Sequence, residues 1–284
     1  MTLHPTPEQL KHLTTIERIS IRIADIANTY LKGIFAIWNR AVMINFIGLS
    51  VGRRTIVHGL ENAKALPKGS RLILCSNHRS FFDFFIISWV FFLKTHHTRR
   101  VFFPVRSTFF YDRLLGIPVS LLMSGYAMFP PVMRDKNKKA FNRFAIDRLV
   151  SDLKNAPALV GFHPEGTRNK DPNPYSFLRA RPGVGEVILR SEEALTIPCF
   201  IVGPCNSMLE EIRRNFFAVK EFPIHIWIGK PIDISDLRRE VKGKEVTREQ
   251  CIVLSERCMD EIKRLSEMHR SFMGDEDVRA EKQS

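Results

Sequence analysis

Leu10, Leu13, Ile16, Ile19, Ile23, Ile26 and Tyr30 recur at spacings of three and four, the period of an amphipathic helix. Thr6-Pro7-Glu8-Gln9 supplies its start: Thr6 caps, Pro7 suits the first helical position, and Gln9 completes a capping box. A second apolar stretch, 33–51, is interrupted by Asn39, Arg40 and Asn45. Those breaks argue against a clean membrane span. They leave two readings open, a helix pair lying at a membrane interface or one packed on a soluble core.

After Gly52 the pattern changes to short apolar runs separated by helical stretches, the signature of an α/β domain. Strands are predicted at 55–58, 71–76, 101–105, 126–129, 158–163, 196–202 and 224–228. Helices are predicted at 81–94, 138–154, 183–193 and 247–268. Residues 114–133 carry no charge over a length that could cross a bilayer, but Gly116, Pro118, Gly125, Pro130 and Pro131 split the stretch into a short helix and a strand. The expected fold is a mixed, largely parallel sheet flanked by helices, preceded by an amphipathic and apolar helix pair. The expected division is 1–52 for membrane-associating helices, 53–272 for the α/β domain, and 273–284 for a charged, frayed tail.

Charge narrows the partners. The 284 residues carry a formal net charge of +13, which favours phosphate esters, nucleic acid or a membrane surface. Residues 94–148 hold eleven basic side chains against three acids, interleaved with phenylalanines. Basic residues near an anionic leaflet contribute about 1 kcal/mol each, so this stretch suits a lipid surface, or else a solvated basic face. No nucleic-acid motif accompanies it. Five cysteines without a CxxC pair fit a reducing compartment and speak against a disulfide framework or a zinc site. The first residues lack the basic and apolar regions of a signal peptide.

Two stretches offer chemistry. Gly48-Leu49-Ser50-Val51-Gly52 is a literal GxSxG, but a serine hydrolase needs a strand, a sharp turn and then a helix around it, and here the order is reversed. Asn77-His78-Arg79-Ser80-Phe81-Phe82-Asp83 follows a buried strand, where α/β sheets collect ligands. In a continuous helix His78 and Asp83 would lie about 140° apart. They meet only if His78 stays in the loop and Asp83 sits in the first helical turn. Ser80 and Asp83 also fit a capping box, and that role and the catalytic one are compatible. A second strand runs into His163-Pro164-Glu165-Gly166-Thr167-Arg168. There Glu165 can accept from a hydroxyl, Gly166 allows close backbone approach, and Arg168 can grip a phosphate with two hydrogen bonds.

Taken in order, these segments resemble the glycerolipid acyltransferase family typified by lysophosphatidic acid acyltransferase. Residues 77–83 look like its NHxxxxD block, 164–168 match its PEGTR block, Gly125 through Arg134 resembles its GxxFxxR block, and Thr196-Ile197-Pro198 its proline-containing fourth block. The resemblance spans roughly 56–231. Two positions depart from the pattern. His163 stands where the family usually has an aromatic, and the spacing from Phe129 to Arg134 is longer than usual.

The resemblance implies transfer of a fatty acyl group from acyl-CoA or acyl carrier protein, used as a co-substrate with no cofactor or metal, to a lysophospholipid hydroxyl, 1-acyl-glycerol-3-phosphate first. His78 would be the general base and Asp83 its orienting carboxylate. Glu165 and Gly166 would hold the glycerol portion, Arg168, Arg134 and Arg106 the phosphate, with Thr167 also substrate-binding. Implied partners are an anionic membrane surface, the lysophospholipid and the thioester donor, with no nucleic acid, and the implied location is the cytoplasmic face of a membrane. Alternatives are acylation of glycerol-3-phosphate or another lysolipid, a serine hydrolase using Ser50, and a non-enzymatic basic lipid-binding protein.

Overall fold

The computed structural model of the chain describes residues 2–97 and 100–281, with side chains to Gly274. Arg99, one of the basic residues counted above, lies outside the described residues. The first predicted helix is two: α1 (Pro7–Leu10) and α2 (Thr15–Tyr30). The Thr6 box forms as expected, and a second box starts a new helix, with Thr14 Oγ1 accepting from Glu17 N and the Glu17 carboxylate accepting from Thr14 N. The apolar stretch continues as α3 (Lys32–Trp38), one π turn (Asn39–Met43) and α4 (Ile44–Val51). Together they form one helix, Lys32–Val51, long and apolar enough to cross a membrane by length and composition.

Six strands follow: β1 (Thr55–His58), β2 (Arg71–Ser76), β3 (Val101–Phe102), β4 (Leu159–Phe162), β5 (Ala194–Val202) and β6 (Ile224–Ile228). They form one sheet in the order β1-β6-β5-β2-β4-β3, parallel throughout except for the antiparallel pair β5 and β6. The connecting helices are α5 (Leu60–Lys64), α6 (Asp83–Lys94), α7 (Gly116–Ser124), α8 (Lys139–Asn155), α9 (Pro182–Arg190), α10 (Met208–Phe217), α11 (Ser235–Val241) and α12 (Arg248–Glu281). The mixed sheet with flanking helices is the fold expected. β2 from Leu72 to Cys75 and β4 are apolar because helices cover both faces of the sheet.

Two expectations are corrected. Residues 126–129 are not a strand: Gly125 and Tyr126 both have positive φ, and Pro130 and Pro131 carry no N–H for a ladder. They form a buried loop tied by Phe103 N to Ala127 O (2.9 Å) and Tyr111 OH to Met128 O (2.6 Å). The segment expected to fray from Met273 instead prolongs α12 to Glu281. The apolar stripe of α2 is divided: Ile23 packs against the core, while Ile19, Ile26 and Tyr30 are exposed. The buried face mixes Ile21, Ala24 and Ala27 with the polar Ser20, Asp25 and Asn28.

That buried face docks α2 and α3 on the sheet domain. Arg148 of α8, fully buried, donates to Asp25, to Leu3 O (2.8 Å), to Thr29 Oγ1 (3.1 Å) and to Asp152 (2.9 Å). Lys32 Nζ donates to Asn28 Oδ1 and Val101 O, each at 2.7 Å. Lys138 pairs with Glu17 and Arg143 with Glu186. Part of the basic stretch is therefore neutralised internally and is not available to an external anion.

On the opposite face α9 lies close against α12. A Cβ at Gly185 would sit 2.0 Å from the Cys251 carbonyl oxygen, and Gly185 N already donates to Ser255 Oγ (2.9 Å). Alanine's higher helix propensity, up to about 1 kcal/mol, is outweighed by overpacking of about 1–3 kcal/mol. Gly185→Ala is expected to lower the unfolding midpoint, as measured by thermal or denaturant melts.

Candidate active site

The register of the sheet assembles the site. Cys75 of β2 pairs with Phe162 of β4 on one side and with Pro198 of β5 on the other. The residues just beyond, Asn77-His78 after β2 and His163-Pro164-Glu165 after β4, are thereby neighbours at the carboxyl edge of adjacent parallel strands. Asn77 anchors its loop to β5, its amide donating to Ile201 O and accepting from Ile201 N, both at 2.8 Å.

His78 is held at three atoms. Its backbone N–H donates to Glu165 Oε1 (3.0 Å), its carbonyl accepts from Asn169 N (2.7 Å), and its ring Nδ1 lies 3.2 Å from Asp83 Oδ2. The same carboxylate oxygen accepts from Arg79 N (2.7 Å) and Ser80 N (2.8 Å). Asp83 thus forms the carboxylate half of the expected capping box. Ser80 Oγ does not form the other half, because it accepts from Phe82 N (3.1 Å) instead of Asp83 N, while donating to Cys205 O. His78 sits in the loop and Asp83 opens α6, the arrangement in which the two can meet.

Burial pushes the Asp83 carboxyl up to about 6, against the pull of its neighbours. His78 is lowered to about 3, first by burial and then by Arg168 and Arg106. His78 is neutral at pH 7 and free to take a proton through its other ring nitrogen.

Glu165 is buried and spans two backbone donors, His78 N and Leu178 N (3.1 Å). It does not line the cavity beside His78. Those two bonds fix the His78 loop. Gly166, with φ +65°, turns the chain away at that point, as its residue type allows.

A cavity of about 570 Å³ opens over His78. Arg106, Arg134, Thr167 and Arg168 stand around its polar end, and Phe81, Phe103, Phe110, Ile146 and Val184 line apolar parts. Arg106 donates to Thr167 Oγ1, and Arg168 donates to Asn206 Oδ1 (2.8 Å). Among the described residues none of the three arginines has a carboxylate in ion-pair range, and the other two hold the Arg106 pKa below its ordinary value after burial does. Three guanidinium groups without a carboxylate partner, lining one cavity, have the chemistry to hold an anion.

Sequence reasoning did not assign His163 and Asn206 to the site. The His163 ring lies parallel to that of His78, centroids 3.9 Å apart and planes at 3°. Asn206, on the loop after β5, accepts from both Arg168 and Phe81 N (3.0 Å). Only strand order places either residue here. Ser50, by contrast, is buried inside α4 and donates to Phe46 O (2.7 Å), so the exposed turn a serine nucleophile needs is missing.

An imidazole–carboxylate pair at the carboxyl edge of a mostly parallel sheet, beside a cavity lined by arginines, is equipped for general acid–base chemistry on an anionic ligand. The family model described as Acyltransferase matches residues 54–202, more than half of the chain, and the chain belongs to that family, the lysophosphatidic acid and glycerolipid acyltransferases. A search of curated proteins found no match.

An acid limb follows from the Asp83 shift. Below about pH 6 the carboxyl takes a proton and ceases to stabilise a cationic His78, whereas His78 itself stays neutral until about pH 3. Acyl transfer measured from pH 5 to 8 is expected to fall as pH drops through about 6. A limb only near pH 3 would contradict this assignment.

Proposed function

We propose that the protein is a membrane-associated acyltransferase that moves a fatty acyl group from acyl-CoA or acyl carrier protein to the free hydroxyl of a lysophospholipid, foremost 1-acyl-glycerol-3-phosphate, giving phosphatidic acid. The observation that carries this reading is the His78–Asp83 pair, 3.2 Å apart, beneath a cavity with three unpaired arginines at one end and phenylalanines beside it. That is the polarity of the proposed acceptor, an anionic head joined to an apolar chain.

In the proposed reaction, the neutral His78 imidazole removes the acceptor hydroxyl proton as the oxygen attacks the thioester carbonyl. Asp83 holds the ring through Nδ1 and stabilises the imidazolium. The tetrahedral intermediate collapses with cleavage of the carbon–sulfur bond, and the departing thiolate takes the proton back from His78. An ester and a free thiol result. Arg168, Arg134 and Arg106 grip the phosphate, Arg106 being steadied by Thr167. Gly166 leaves room for the glycerol, and Glu165 keeps the His78 loop in place.

The exposed apolar residues of the N-terminal helices support work at a lipid surface. Ile19, Ile26, Tyr30, Ile34 and Ile37 face outward. The cytoplasmic leaflet, anionic and close to acyl-CoA, is the proposed location.

The test is a panel of donors and acceptors with purified protein in detergent, read by mass spectrometry of lipid products. Acylation of 1-acyl-glycerol-3-phosphate with thiol release is expected. Product from glycerol-3-phosphate alone would reassign the acceptor, and no acylated product from any member would refute the reading.

A further inference from the structure

One hydrogen bond to Asp83 fixes a point on the His78 ring but not its plane, since the imidazole can still swing about that contact. Against one face of that ring lies the His163 ring, parallel to it with centroids 3.9 Å apart. His163 is itself held on two sides. Its Nδ1 lies 3.1 Å from both the carbonyl and the hydroxyl oxygen of Ser76, at the end of β2. Its ring meets Phe84 of α6 at 90°, centroids 6.5 Å apart.

Phe84 in turn rests on the bare backbone of Gly161, where a Cβ would come within 1.8 Å of the phenyl ring. Gly161 backbone, Phe84, His163 and His78 thus form one column running from the interior of β4 to the cavity.

We propose that His163 is a positioning residue for the acyl transfer: its ring, seated on the Gly161–Phe84 platform and tied to Ser76, sets the plane in which His78 meets Asp83 and the acceptor hydroxyl. The proposal rests on the reading of His78 as the base. It assigns His163 no proton transfer, because stacked rings do not share an in-plane hydrogen bond. It also gives a reason for Gly161, which any side chain would deny to Phe84.

The experiment compares His163→Ala, His163→Phe and His163→Leu for kcat and for acceptor KM, with melting curves as a fold control. Loss of one stacked aromatic contact is expected to lower kcat roughly three- to tenfold in the alanine and leucine variants. The acceptor KM should stay near wild type, because Arg106, Arg134 and Arg168 are untouched. Phenylalanine, flat but unable to bond Ser76, should return kcat close to wild type. The proposal is overturned if His163→Ala keeps wild-type kcat, if its loss falls on KM, or if phenylalanine is no better than leucine.

A readout independent of turnover separates this inference from the acyltransferase reading. The His78 ring-proton resonance, shifted by the stacked neighbour, should move in His163→Ala and stay shifted in His163→Phe. A resonance that ignores both changes would overturn the inference even in a protein with no acyl transfer.

Discussion

His78→Ala is expected to lower kcat for acyl transfer by about 10²–10⁴-fold, the range that positioned proton transfer contributes. The loss should fall on kcat. The three arginines that face the acceptor do not depend on the imidazole, and the backbone bonds of residue 78 to Glu165 and Asn169 survive the change. Steady-state kinetics over a range of acceptor concentrations separates the two parameters. Ser50→Ala is the matched control. Ser50 is buried in a helix away from the cavity, so acyl transfer should persist with at most a small change in stability. Near-normal turnover in His78→Ala would refute the general-base mechanism even if the activity stands.

Arg168→Ala is expected to act in the opposite compartment of kinetics, raising acceptor KM by roughly 10- to 100-fold. A hydrogen bond to a charged group contributes about 1.5–3 kcal/mol, and each 1.4 kcal/mol is tenfold. Arg168→Lys should recover only part of this loss, because an ammonium cannot reproduce the two parallel donors of a guanidinium. The change has a second signature. Arg168 is the first of the charges that depress the His78 pKa, so its removal should raise the pKa of the base toward its ordinary value. Titrating the His78 ring by NMR in wild type and Arg168→Ala checks this directly. An unchanged pKa together with an unchanged KM would remove Arg168 from the site.

Much of this was legible in the chain because the features concerned are local. β2 and β4 announce themselves as unbroken apolar runs, since a parallel strand covered on both faces has no polar side to alternate. The meeting of His78 and Asp83 follows from the loop and first-turn placement that their spacing demands. The 126–129 segment misled because apolar residues ahead of a proline pair resemble a strand, while the positive φ of Tyr126 leaves no mark in the pattern. α10 and α11 were not read from the pattern because they are short; α10 is strongly amphipathic, but over so few residues that the period does not declare itself.

The N-terminal helix teaches a different lesson. Its stripe of Ile19, Ile26 and Tyr30 was plain, but periodicity identifies a face without naming the medium it meets. Here the core took a mixed face, Ile21, Ala24 and Ala27 with Ser20, Asp25 and Asn28, and left part of the stripe outside. His163 and Asn206 were hidden for a third reason. Their partners, Ser76 and Arg168, lie 87 and 38 positions away, so only strand order brings them together.

The buried clamp around Arg148 bears on how the protein sits at a surface. Cutting away the first helices would strand Arg148 and Asp152 without Asp25, and losing one partner of a buried pair costs about 3–5 kcal/mol. Under the proposed function, the lipid-facing segment is therefore a bracket and not a tether. Bolted to α8, and through Lys32 to β3, it sets a fixed height and tilt for the cavity mouth, so acceptors would be drawn from one constant depth of the leaflet.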